Sequence, residues 1–78
     1  MREEIRNWMI DKLEDLGIET TDFKFEEDMY AQGISSLEYI QLVVFVETEF
    51  DIEIEDEYLE LGKINTLDMM IDYIMSRR

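Results

Sequence analysis

Nothing in this chain can cross-link it. Its 78 residues include no cysteine and no histidine, so neither a disulfide nor a zinc site with Cys or His ligands is open to it. The same two absences remove Cys nucleophiles and His general bases. A chain of this length makes one domain, residues 1–78, with a modest core. Such a core is built most simply from packed helices. The apolar fraction, 46%, is too high for a disordered tail.

The apolar spacing agrees. Ile5, Trp8, Met9, Leu13 and Leu16 recur at intervals of three and four, which predicts a helix from about Arg2 to Leu16 with one core face. Gly17 follows as a C-terminal stop. Ile18 to Ile34 keeps no period; it reads as a long loop, pinned by Phe23, Phe25, Met29 and Tyr30 and spanning the bundle between two parallel-running helices. A second helix is expected from Ser36 to about Phe50. Asp51 to Glu55 alternates apolar and acidic residues but has no partner strand, so we expect an extended connection that drops Ile52 or Ile54 into the core. A short helical turn, Asp56 to Leu61, ends at Gly62. The last helix is capped by Asn65 or Thr66. It carries Leu67, Met70, Ile71 and Ile74 at helical spacing, and Arg77 and Arg78 complement its C-terminal dipole.

A net charge of −14 argues against nucleic acid, whose affinity comes from Lys and Arg on phosphates. It argues equally against anionic membrane surfaces. Partners with basic patches are expected instead. The run Glu47, Glu49, Asp51, Glu53, Glu55, Asp56, Glu57 and Glu60 contains no Lys or Arg. It reads as a solvated face. It makes a poor calcium loop, because isoleucines stand where oxygen ligands and a central glycine belong. Met1 to Ile10 has no secretory h-region, and the longest apolar run, Leu42 to Val46, is far below a membrane span. A cytoplasmic location is expected.

Chemistry concentrates at Gly33-Ile34-Ser35-Ser36-Leu37-Glu38. Ser35 with Glu38 three positions on is a capping box. It puts Ser35 at the N-cap and Ser36, exposed, in the first turn. A phosphate ester on Ser36 would lie near unpaired N–H groups and the positive end of the dipole. Ser-Ser before a helix is also a common plain cap. On a wheel of roughly 100° per residue, Tyr39, Leu42, Val43, Val46 and Phe50 share the core side. Ile40 and Val44 fall on the side of Ser36, with Glu47 between the two. That strip fits either a wide core face or a docking surface. Phe45 belongs to neither stripe.

The ordered set of features resembles the acyl and peptidyl carrier protein family over almost the whole chain. It comprises an amphipathic first helix, a long loop and Gly33-Ile34-Ser35-Ser36-Leu37. Leu42 to Phe50, Phe50-Asp51-Ile52-Glu53-Ile54, Thr66-Leu67 and Ile71-Asp72-Tyr73-Ile74 follow in order. The resemblance implies an all-α, four-helix carrier bundle with a long loop between helices 1 and 2 and a short third helix. It implies 4′-phosphopantetheine attached covalently to Ser36 from coenzyme A by a magnesium-dependent phosphopantetheinyl transferase. Acyl or aminoacyl groups would ride on it as thioesters. Leu37, Ile40, Val44 and Glu47 would then meet the transferase and the loading and processing enzymes through their basic patches. Two positions depart from the family pattern: Ser35 stands for the usual Asp, and Asp51 for a common Gly.

The expectation is a free-standing, monomeric carrier with no enzyme activity and no metal, serving fatty-acid, polyketide or nonribosomal peptide assembly. An unmodified acidic interaction module is the alternative. A hydrolase is a distant third, since no nucleophile–base pair or metal cluster can be argued from spacing.

Overall fold

Ile5, Met9 and Leu13 stand four residues apart on one helical stripe, and all three are buried. In the computed structural model, which describes residues 1–60 and 63–77 (the side chains of Leu59 and Glu60 aside), they lie on helix α1, Arg2–Asp15. Helix α2 spans Ser36–Phe50, α3 Asp56–Glu60 and α4 Leu67–Arg77. Among the described residues the fold is all-helical, with four helices and no strand.

Gly17 stops α1 as its position predicts. Its φ of +83° lies where only glycine is unstrained. The Ile18 N–H donates to the Leu13 carbonyl and the Gly17 N–H to the Glu14 carbonyl, both at 2.9 Å; this pair satisfies carbonyls that a bare helix end leaves open. Helix α4 begins at a threonine cap, Met69 N–H donating to Thr66 Oγ1 at 3.1 Å. Leu67, Met70, Ile71 and Ile74 are buried as expected, and Tyr73 joins them. The expected turn ending at Leu61 and Gly62, and Arg78, lie outside the described residues. Ile54 is the residue of the α2–α3 connection that enters the core, and Ile52 is half-buried against it.

The first two helices do not run parallel. Lys12 lies over the Phe45 ring, while the earlier Trp8 meets the later Phe50 edge-on at 4.9 Å. Contacts in reverse chain order mean that α1 and α2 are antiparallel. The long loop therefore does not cross the bundle lengthwise. Its length serves to attach it to α4: Met29 N–H donates to the Asn65 carbonyl at 2.8 Å, and Asp68 N–H to the Phe25 carbonyl at 3.1 Å. Phe25 and Met29 pin the loop by burial, and Phe23 packs partly against the core. Tyr30 does not, being 38% exposed; its ring leans on Tyr39, centroids 5.8 Å apart. At the start of α1, Arg2 pairs with Asp68 and Asp72 and so joins α1 to α4. The hydrogen bond to Asp72 holds its guanidinium above the usual range.

Candidate functional site

The loop arrives at α2 along a braced path. The Asp28 carboxylate accepts the Tyr30 and Ala31 N–H groups. Gly33 and Ile34 turn back on Tyr30 and Met29, their N–H groups donating to those carbonyls at 3.1 Å. Gly33 has a φ of +105°, again a glycine region. Gln32 does most of the bracing. Its amide accepts the Lys24 N–H and donates to the Lys24 carbonyl, both at 2.7 Å, and reaches the Glu27 and Asp28 carbonyls at 3.3 Å. Sequence reading passed over Gln32, because its partners are backbone groups up to eight residues away. Ile34 is buried, which fixes the chain one residue before the cap.

Ser35 and Glu38 form the capping box. Ser35 Oγ accepts the Glu38 N–H at 3.1 Å, and Glu38 Oε1 accepts the Ser35 N–H at 2.9 Å. Ser35→Ala is expected to cost about 0.5–2 kcal/mol, the usual effect of losing a cap. Urea midpoints measure it, and an unchanged midpoint would mean that α2 does not depend on this cap. Because Ser35 does the capping, Ser36 is spared. It is exposed at the first helical position, and its hydroxyl has no hydrogen-bond partner among the described residues. The N–H groups of Ser36 and Leu37 are likewise unpaired there. An anionic phosphodiester on Ser36 Oγ fits this setting: an accessible oxygen, two free donors and the positive end of a helix of 15 residues.

From Ser36 an apolar strip descends α2. Leu37 is 66% exposed, and Ile40 and Val44 each 54%. Tyr39, Leu42, Val43 and Val46 face the core, as the wheel predicts, and Phe50 is half-buried. The wide-core alternative for the strip therefore fails. Glu47 differs from its strip neighbours. It is half-buried, and its Oε2 accepts the Ile54 N–H at 2.8 Å. Phe45 acquires an account too: it is half-buried under the Lys12 ammonium, 5.3 Å from the ring centre.

Tyr39, one turn below Ser36, is only 3% exposed, and its hydroxyl has no partner among the described residues. Burial, with the nearby Tyr30 phenol adding to it, pushes its pKa up to about 12. A buried hydroxyl without a partner opposes folding. Tyr39→Phe should therefore leave stability unchanged or raise it by about 1 kcal/mol. The linkage has a sign. Above the usual phenol pKa of about 10, the unfolded chain releases this proton while the folded chain keeps it. The parent should lose stability as pH rises from 10.0 to about 12, and Tyr39→Phe should lose less. Urea titrations at stepped pH give both results. A clear destabilisation of Tyr39→Phe at neutral pH would show that the hydroxyl has a partner.

The acidic run is largely exposed. Glu55 pairs with Arg77 at 3.5 Å and Glu57 with Lys63 at 3.1 Å. Among the described residues no group of acidic side chains is placed to hold a metal ion, and no helix is long and apolar enough to cross a membrane. Helix α2 carries carboxylates and no basic residue.

No solved structure matches the chain. A family model described as the phosphopantetheine attachment site matches residues 13–74, a span that takes in the end of α1, the braced loop, Ser36, the strip and most of α4. The chain thus belongs to the phosphopantetheine-attachment family: a non-catalytic carrier domain whose 4′-phosphopantetheine is held covalently.

Proposed function

We propose that Ser36 is the attachment residue, and that residues 1–78 form a single carrier domain. It acts as a cytoplasmic monomer in fatty-acid, polyketide or nonribosomal peptide assembly. One observation carries the reading: of two adjacent serines, Ser35 is consumed by the capping box and Ser36 is exposed and unengaged. The Ser36 Oγ is the nucleophile. Its bond to phosphorus forms as the diphosphate linkage of coenzyme A breaks, and the adenosine bisphosphate half departs. The hydroxyl proton leaves to a base that the transferase supplies, while the Glu38 carboxylate serves the cap by accepting the Ser35 N–H. The arm's thiol then holds acyl or aminoacyl groups as thioesters.

Leu37, Ile40 and Val44 form the surface that the transferase and the loading enzymes grip. The carboxylates of α2 favour partners with basic patches. The test is incubation with coenzyme A, magnesium and a broad-specificity transferase, followed by intact mass and peptide mapping. One phosphopantetheine on the peptide at Ser36, lost in Ser36→Ala, is the expected result. An adduct on Ser35, or one retained in Ser36→Ala, overturns the assignment. No adduct at all would leave an acidic interaction module.

A further inference from the structure

The connection between α2 and α3 is held in an unusual way. Among the described residues from Ile52 to Glu55, the Glu55 carbonyl alone is bonded to another backbone group, the Tyr58 N–H. Side chains from the flanking helices hold three more of its backbone groups. Glu47 of α2 accepts the Ile54 N–H at 2.8 Å. The Tyr73 hydroxyl of α4 donates to the Glu53 carbonyl at 3.2 Å and lies 3.4 Å from the Glu55 N–H, which donates to it. Between these anchors Ile54 enters the core with 3% of its surface exposed. Asp51, at the start of the segment, sits in the left-handed region at φ 53°, where a non-glycine residue is strained. The segment is thus a strap, buried at its middle and tied at two points.

One of the two ties lies on the strip. We propose that Glu47 couples docking on α2 to the position of Ile54: a cationic group of a partner that engages the Glu47 carboxylate weakens its bond to the Ile54 N–H and loosens the strap. The inference rests on the carrier reading of the strip and concerns how that surface is regulated. The chemistry follows from the acceptor. The Ile54 N–H is a neutral donor, whereas a guanidinium or ammonium is a charged one and forms the stronger bond to a carboxylate. Sharing the carboxylate between them weakens its hold on the amide. Coupling of this kind is reciprocal. Loosening the strap from its other tie must therefore make the partner bind more tightly.

Tyr73→Phe provides that test, because it keeps the ring that packs edge-on against Tyr58 at 5.0 Å and removes both strap bonds. It lies on α4, outside the strip. The partner probe is the broad-specificity transferase without coenzyme A, titrated into the full chain labelled with nitrogen-15. Two results are expected. The Ile54 amide exchanges with solvent faster in the complex than in the free chain, and Tyr73→Phe binds the transferase about two- to tenfold more tightly. In Glu47→Gln, which keeps an oxygen for Ile54 but no charge, Tyr73→Phe leaves the affinity unchanged.

An Ile54 amide that stays equally or better protected in the complex overturns the proposal. So does a gain in affinity from Tyr73→Phe that persists in Glu47→Gln. Should Tyr73→Phe fold poorly, amide exchange in the parent still decides. A chain that neither binds the transferase nor accepts an arm defeats the carrier reading itself, and the coupling with it.

Discussion

Phe25→Ala is expected to lower the unfolding free energy by about 3–5 kcal/mol, the range for truncating a buried aromatic ring. Phe25 lies in the loop, so no helix propensity softens the change. Its ring is almost wholly buried. The Arg6 guanidinium lies 4.2 Å from the ring centre, and Phe23 meets it edge-on. Its carbonyl receives the Asp68 N–H at the start of α4. Alanine would open a cavity beneath Arg6 where the loop is fastened to the last helix. A chain of 78 residues has a total stability on the order of 4–12 kcal/mol, so this one change removes much of it. Urea and thermal midpoints measure the loss, and a cost below about 1 kcal/mol would place Phe25 outside the structural core.

The second large effect concerns binding. Val44→Asp should weaken transferase association at least tenfold, equivalent to about 1.4 kcal/mol or more, while changing the urea midpoint little. Val44 is more than half exposed, so its replacement opens no cavity. An aspartate there places a hydrated charge in the middle of an apolar contact. Unfolding of Val44→Asp would show that the residue is core and that the strip is not a docking surface. Glu47→Lys is a less clean probe of the same surface. It removes docking charge, but it also takes the acceptor from the Ile54 N–H, and an unpaired buried donor costs about 1–3 kcal/mol by itself. Glu47→Gln separates the two effects, since an amide oxygen can still receive that N–H.

Local features of this fold were legible in the residues; long-range ones were not. The spacing of Ile5, Met9 and Leu13 and the Ser35–Glu38 pair depend on neighbours within one or two turns, so α1, α2 and the cap could be read directly. The same wheel set Ile40 and Val44 apart from the core side but left a wide core face and a docking surface both open; their exposure is a finding of the structure. The direction of α2 against α1 could not be read, because a loop as long as Ile18 to Ile34 permits either, and only the attachment of Phe25 and Met29 to α4 selects one. Tyr30 looked like a pin because it is aromatic, yet the buried partner of that pair is Tyr39. Glu47 was assigned by its position on the wheel. Its bond to Ile54 exists only because the chain folds back after Asp51, a turn that no helical period announces. Tyr73 was read only as part of the last-helix pattern, and its role in the connection was missed for the same reason, since its hydroxyl serves residues 18 and 20 positions earlier.

The edge-on contact between Trp8 and Phe50 has a practical consequence. The chain has a single tryptophan, and it lies where α1 crosses the last residue of α2, beside Met1, Glu4, Ile5 and Glu49. Its fluorescence is therefore a built-in optical gauge of one helix contact. Separation of α1 from α2 during unfolding will alter its emission without any attached dye. Chemistry at Ser36, 14 residues up the same helix from Phe50, takes place far from the indole. Loading of the arm should be nearly silent in this channel, so folding and loading can be followed independently in one cuvette.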